Sequence, residues 1–81
     1  MARLGYIDLD CVVKDTETIE DVMNRLETEN DINVFELTDK GPNGWPVIRI
    51  IGEKVEVAEV VLHYWEDPDL IDQIDDIKRM R

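Results

Sequence analysis

The sequence is poor in the residues from which catalytic and cofactor sites are built. It contains no serine, one cysteine and one histidine. A catalytic nucleophile needs a base held by an orienting group, and zinc sites need several Cys or His ligands. The four glycines form neither a dinucleotide-binding fingerprint nor a phosphate-binding loop. We therefore expect no catalytic residues, no metal and no cofactor, and predict that the protein is not an enzyme.

Features of membrane and secreted proteins are also missing. Cys11 is the one cysteine, so it cannot form an internal disulfide. No apolar run approaches the roughly 20 residues that span a bilayer, and the first residues lack the pattern of a secretory leader. These absences predict a cytoplasmic protein without membrane contact. A chain of 81 residues is expected to form one compact α+β domain, residues 1–81, with a small core.

Basic residues are scarce. Nine bases against twenty acids give a formal net charge of -11, which repels nucleic-acid phosphates and anionic membranes. Direct nucleic-acid binding is therefore not expected, and a basic protein surface is the natural partner. The hydrophobic content of 43% lies well above that of a disordered chain, so the chain should fold.

A period of two residues marks three strands. Residues 3–13 alternate and place Ile7 and Cys11 on one apolar face. The segments 31–38 and 45–51 are rich in β-branched and aromatic residues. Turn-forming residues separate these two segments, which predicts a β-hairpin.

Helical spacing marks three helices. Thr18 begins a capping-box signal for the first, which should end near Asn30. The second is predicted over 53–65, and its apolar arc of about 220° is twice what one buried face needs. The third should start at Asp67 and Pro68, a favourable N-cap and first-turn pair. Its apolar stripe would cover the remainder of the wide arc.

These elements follow the order β-α-β-β-α-α, with helices packed on one face of a three-stranded sheet. A right-handed crossover and a hairpin allow the strand orders 1-2-3 and 2-3-1. The split order 2-3-1 is preferred because residues 47–51 form the most continuously apolar strand, which suits the centre. The arrangement resembles a truncated ferredoxin-like fold that lacks its fourth strand. This resemblance concerns topology and implies no function.

Acidic residues are concentrated near the C-terminal end. From Glu53 to Asp76 there are nine acids and one base, Lys54, so this span carries -8 of the total charge. In the predicted third helix, Asp72 and Asp76 form a like-charge pair that costs a few tenths of a kcal/mol. A sequence shaped for stability alone would tend to avoid such a pair.

Two functions fit these patterns. The first is a small acidic binding protein, an inhibitor or regulator, that docks an acidic helical surface on a basic partner. Its most specific form is a nucleic-acid mimic that blocks a nucleic-acid-binding enzyme, by analogy in size and charge with viral proteins of the phage counter-defence or host-takeover type. The residues predicted to bind the partner are Glu56, Glu59, Glu66, Asp67, Asp69, Asp72, Asp75 and Asp76.

The alternative is a subunit of a homo-oligomer or larger assembly, in which the acidic face serves solubility only. Surplus apolar surface on the second helix or on the sheet would then form the interface. The candidate interface residues are Val57, Val60, Tyr64 and Tyr6.

Overall fold

One antiparallel sheet organises residues 3–77, which a computed structural model of the chain describes. The elements are β1 (Leu4–Asp10), α1 (Ile19–Glu29), β2 (Ile32–Thr38), β3 (Val47–Glu53), α2 (Lys54–Val60), a π-helical turn (Val61–Trp65), a 3₁₀ helix (Pro68–Gln73) and β4 (Asp75–Asp76). In space the strands follow the order β2-β3-β1-β4. The predicted α+β class and the order 2-3-1 of the first three strands are confirmed.

The sheet has four strands, so the predicted three-stranded sheet is wrong. Residues 75 and 76 form β4 on the outer edge of β1, where Asp75 pairs with Tyr6. The Ile77 N–H extends this contact by donating to the Leu4 carbonyl at 2.9 Å. The truncated ferredoxin-like description is therefore not matched in detail, because the edge that it leaves free is occupied.

The core lies between the helices and one face of the sheet. The alternation predicted for β1 is confirmed, since Ile7, Leu9 and Cys11 are buried. The other buried apolar residues are Val22, Leu26, Ile32, Val34, Ile48, Ile50, Val57, Val60, Val61 and Ile74. Each fully buried aliphatic side chain contributes about 1.5 to 3 kcal/mol relative to an exposed one. The opposite sheet face carries no helix among the described residues.

Local signals fix the ends of α1. The Thr18 hydroxyl accepts a hydrogen bond from the Asp21 N–H at 3.1 Å. The Asp21 carboxylate in turn accepts one from the Thr18 N–H at 3.1 Å, which completes a capping box. At the other end the Asn30 N–H donates to the Leu26 carbonyl. Both predicted ends of this helix are confirmed.

The predicted third α-helix does not form. Asp67 caps this segment as expected, because its carboxylate accepts from the Asp69 N–H at 3.0 Å. The helix that follows is 3₁₀ and ends at Gln73, after which the chain is extended at Ile74, with φ -69° and ψ 118°. Pairing with β1 replaces the last helical turn.

Gly5 explains why β4 can come so close to β1. A Cβ at this position would lie 3.0 Å from the Asp75 carbonyl oxygen and 2.6 Å from the Lys54 Cγ. Glycine therefore leaves room for both. The extended β4 satisfies main-chain groups of the β1 edge that a short helix would leave unpaired.

The second predicted helix is found with one change in its geometry. Residues 54–60 are α-helical, and the π-helical turn then continues the helix to Trp65. The preceding strand β3 runs two residues beyond the predicted segment 45–51, through Gly52 to Glu53. The helix therefore follows β3 without a loop.

Candidate protein-binding surfaces

Residues 66–76, named here the acidic segment, run from the end of the π-helical turn through the 3₁₀ helix to β4. Glu66 adopts a left-handed conformation with φ 55° and redirects the chain out of the helix. The exposed acids of the segment are Glu66, Asp67, Asp69, Asp72 and Asp75. Five of the eight predicted partner-binding residues therefore present their carboxylates to solvent on one short stretch.

Asp76 differs from the other acids of the segment. It is half-buried, and its Oδ1 lies 2.8 Å from the Lys54 Nζ. Lys54 is the one base between residues 53 and 76. Its charge is held by this internal pair, so no ion pair within residues 3–77 offsets the five exposed acids.

The two remaining predicted acids lie on α2. Glu59 is exposed and lines an open cleft of about 630 Å³ together with His63 and Tyr64. Glu56 is half-buried. The predicted acids are thus divided between α2 and the acidic segment. The helical like-charge pair predicted for Asp72 and Asp76 is absent, because Asp76 belongs to β4.

The candidate oligomer residues occupy different environments. Val57 and Val60 are 0% and 1% exposed, so their side chains form core and offer no surface to a second subunit. The Tyr64 hydroxyl donates a hydrogen bond to the Glu29 carboxylate. This bond raises the pKa of Tyr64 above its ordinary value. Tyr6 is half-buried and lies on the sheet face without helices.

That open sheet face has a polar centre which the sequence patterns did not reveal. The Arg49 Nε lies 2.7 Å from the Asp8 Oδ1, and its Nη2 lies 3.0 Å from the Asp8 Oδ2. The guanidinium stacks 4.8 Å from the centre of the Tyr6 ring. Phe35 lies directly across from Arg49 and is 52% exposed. Strand alternation and register together could have located this group.

Cys11 lines a cleft of about 410 Å³ between the end of β1 and α1. Burial is the main cause that raises the pKa of its thiol from 9.0 to about 11. The thiolate is the nucleophilic form of cysteine, so this environment keeps the residue unreactive. The cleft therefore holds no activated nucleophile.

We expect Cys11 to react slowly with Ellman's reagent at pH 8 in the folded protein and rapidly in denaturant. Its raised pKa also favours the folded state below pH 9.0, and this contribution is lost as the pH rises toward about 11. Urea titrations across that range should show falling stability, and a Cys11→Ala variant should lose this part of the pH dependence. Equal thiol reactivity with and without denaturant would contradict the assignment.

Residues 3–77 offer neither a metal-binding cluster nor a helix that could cross a membrane. Across residues 3–77, no three His, Cys, Asp or Glu side chains are grouped so that they could hold a metal ion. None of the helices in this range combines the length and apolar content that crossing a bilayer requires.

Comparison of the chain with protein-family models, with curated proteins and with solved structures finds no match. A functional proposal therefore depends on the fold and on the exposed surfaces. The charge and accessibility of individual side chains carry it.

Proposed function

We propose that the protein is a small non-enzymatic binding protein, an inhibitor or regulator, that docks its acidic segment on a basic surface of another protein. One observation carries this proposal. Five exposed acids lie within ten residues, and the one neighbouring base is held internally by Asp76. Complementary charge of this kind steers a partner, fixes its orientation and excludes wrong partners.

The acidic segment is held in place, which favours binding over a purely solubilising role. Ile74 is buried, while Leu70 and Ile71 pack partly buried against the core. The Asp67 cap and the β4 pairing hold its two ends. A charge array that is already ordered loses less conformational entropy on binding. Solubility alone would need no such ordering.

Nucleic-acid mimicry is the narrower form of the same proposal, in which the partner is a nucleic-acid-binding enzyme. It would depend on the charge of the segment, since no single helical stripe spaces the carboxylates evenly. A cytoplasmic location is also part of the proposal, and the single buried cysteine supports it.

The second candidate function is self-association through the open sheet face. It is favoured by the exposure of Leu4 and Phe35, which are 48% and 52% accessible there. Sedimentation equilibrium should then give a mass above 9.5 kDa that rises with concentration. A concentration-independent monomer would remove this candidate.

Capture from a lysate of the source organism tests the proposed function. The immobilised protein should retain a protein with a basic surface at low salt. It should release that protein near 1 M salt, where the screening length falls to about 3 Å. Retention that survives 1 M salt, or retained proteins without a basic surface, would contradict the proposal.

A further inference from the structure

The outer edge of β2 lies on the opposite side of the sheet from the acidic segment. Within residues 3–77, β2 pairs with β3 alone and is the first strand in the order β2-β3-β1-β4. A strand with one free edge presents main-chain donors and acceptors to an added strand. β4 covers the outer edge of β1, whereas no strand of the described chain covers the outer edge of β2.

One hydrogen bond shows which main-chain groups point outward. The Val34 N–H donates to the Glu27 Oε2 at 3.0 Å, so it faces away from β3. Because main-chain direction alternates along an antiparallel strand, Ile32 and Glu36 face the same way. A register shift between Glu36 and Thr38 then interrupts the ladder with β3. The main-chain N–H and C=O of Glu36 therefore face outward, toward the position of an added strand, beside the irregular and exposed end of β2.

The side chains around this edge are apolar and acidic. Phe35 is 52% exposed and Leu37 is 47% exposed. Residues 27–39 contain no base and five acids, which are Glu27, Glu29, Asp31, Glu36 and Asp39. An extended chain that carries both apolar and basic side chains would complement this edge.

We propose that the β2 edge binds an extended segment of a partner protein in which basic and apolar residues alternate. An added strand would direct alternate side chains to the two sheet faces. Those on the open face would contact Phe35, and those on the other face would approach Glu36 and Glu27. Pairing with β2 of a second copy is disfavoured, because it would bring the same acids together.

Glu27 has a defined part in this binding. In the free protein its carboxylate satisfies the Val34 N–H and so protects the edge against indiscriminate pairing. A lysine or arginine of the incoming strand attracts the carboxylate, and the Val34 N–H then donates to the main chain of the incoming strand. The edge thereby selects a basic strand over a neutral one.

This inference goes beyond the proposed function, because the two surfaces lie at opposite edges of the sheet. The probe is a short synthetic peptide of alternating lysine and valine, titrated into the isotopically labelled protein by NMR. A peptide of the same composition with all its lysines in one half is the control. We expect the alternating peptide to bind more tightly and to slow hydrogen exchange of the Glu36 amide.

Variants separate the main-chain contact from the charges. Glu36→Pro removes an outward N–H and should abolish binding of the alternating peptide. The double variant E27Q/E36Q keeps acceptor oxygens and should weaken binding about threefold to tenfold, the effect of two partly exposed ion pairs. Because the double variant preserves the capping acceptor, it tests the proposal even if Glu36→Pro fails to fold.

The variant D69N/D72N, at the other edge, should leave the affinity for the alternating peptide nearly unchanged. Loss of binding in this variant with none in E27Q/E36Q would place the peptide on the acidic segment and overturn the inference. Equal binding of the two peptides would also overturn it, as would dimerisation through β2 in the absence of peptide. None of these results would contradict capture of a partner by the acidic segment, so the two proposals can fail separately.

Discussion

Replacing Glu66, Asp69 and Asp72 with their amides is expected to weaken binding of the captured partner by roughly threefold to a hundredfold and to leave the fold intact. Each exposed ion pair contributes about 0.2 to 1 kcal/mol, and about 1.4 kcal/mol corresponds to a factor of ten. None of the three side chains makes an ion pair within residues 3–77. Titration calorimetry would measure the affinity, and urea unfolding would report the stability.

A matched control separates the location of the charges from their number. The variant D15N/E20Q/D39N removes the same charge from three exposed acids elsewhere on the surface. We expect it to change the affinity by less than about twofold at physiological salt, where screening is effective beyond about 8 Å. Equal losses in the two variants would show that total charge, and not the acidic segment, determines binding. Asp76 is left unchanged in both because it pairs with Lys54.

Truncation of Ile50 to alanine is expected to lower the free energy of unfolding by about 2 to 5 kcal/mol. Ile50 is 0% exposed and lies on β3, between β2 and β1. A small domain has a total stability of about 5 to 15 kcal/mol, so this loss is large. Chemical unfolding followed by circular dichroism would measure it.

The neighbouring Ile51→Ala variant is the control for the Ile50 prediction. Ile51 is half-buried and faces the side of the sheet that carries no helix among the described residues. Its truncation should therefore cost clearly less than that of Ile50, since fewer contacts are lost. Similar losses at the two positions would mean that the open face is covered in solution, as the oligomer alternative requires.

Much of the fold could be predicted because its signals are local. The capping residues of α1 lie three positions apart, and the β1 alternation is visible over a few residues. The strand order 2-3-1 follows from the apolar character of β3 and from the general handedness of crossovers. These features depend little on distant contacts.

β4 could not be predicted in the same way. It contains two aspartates, a residue type that is depleted in strands, and its partner β1 lies about seventy residues earlier. The helical spacing of the apolar residues in this segment predicted a third α-helix instead. Pairing with the β1 edge, made possible by Gly5, outweighed that local preference.

The candidate surfaces, like the fold, could be predicted only where they depend on local sequence. The acids of the acidic segment could be predicted from composition. The ion pair between Lys54 and Asp76, which distinguishes Asp76 from the exposed acids, depends on β4. Val57 and Val60 belong to an apolar arc that was too wide for one buried face. The structure places both in the core, where the sheet and its neighbours cover them. Sequence spacing alone could not tell covered from exposed parts of that arc.

Salt dependence of partner affinity tests the central claim most directly. The affinity of the native protein for its captured partner should fall steadily as salt rises, because exposed charges are increasingly screened. The triple amide variant of Glu66, Asp69 and Asp72 should bind more weakly at low salt and depend less on salt. Indistinguishable affinity and salt dependence in the two proteins would contradict a binding role for the acidic segment.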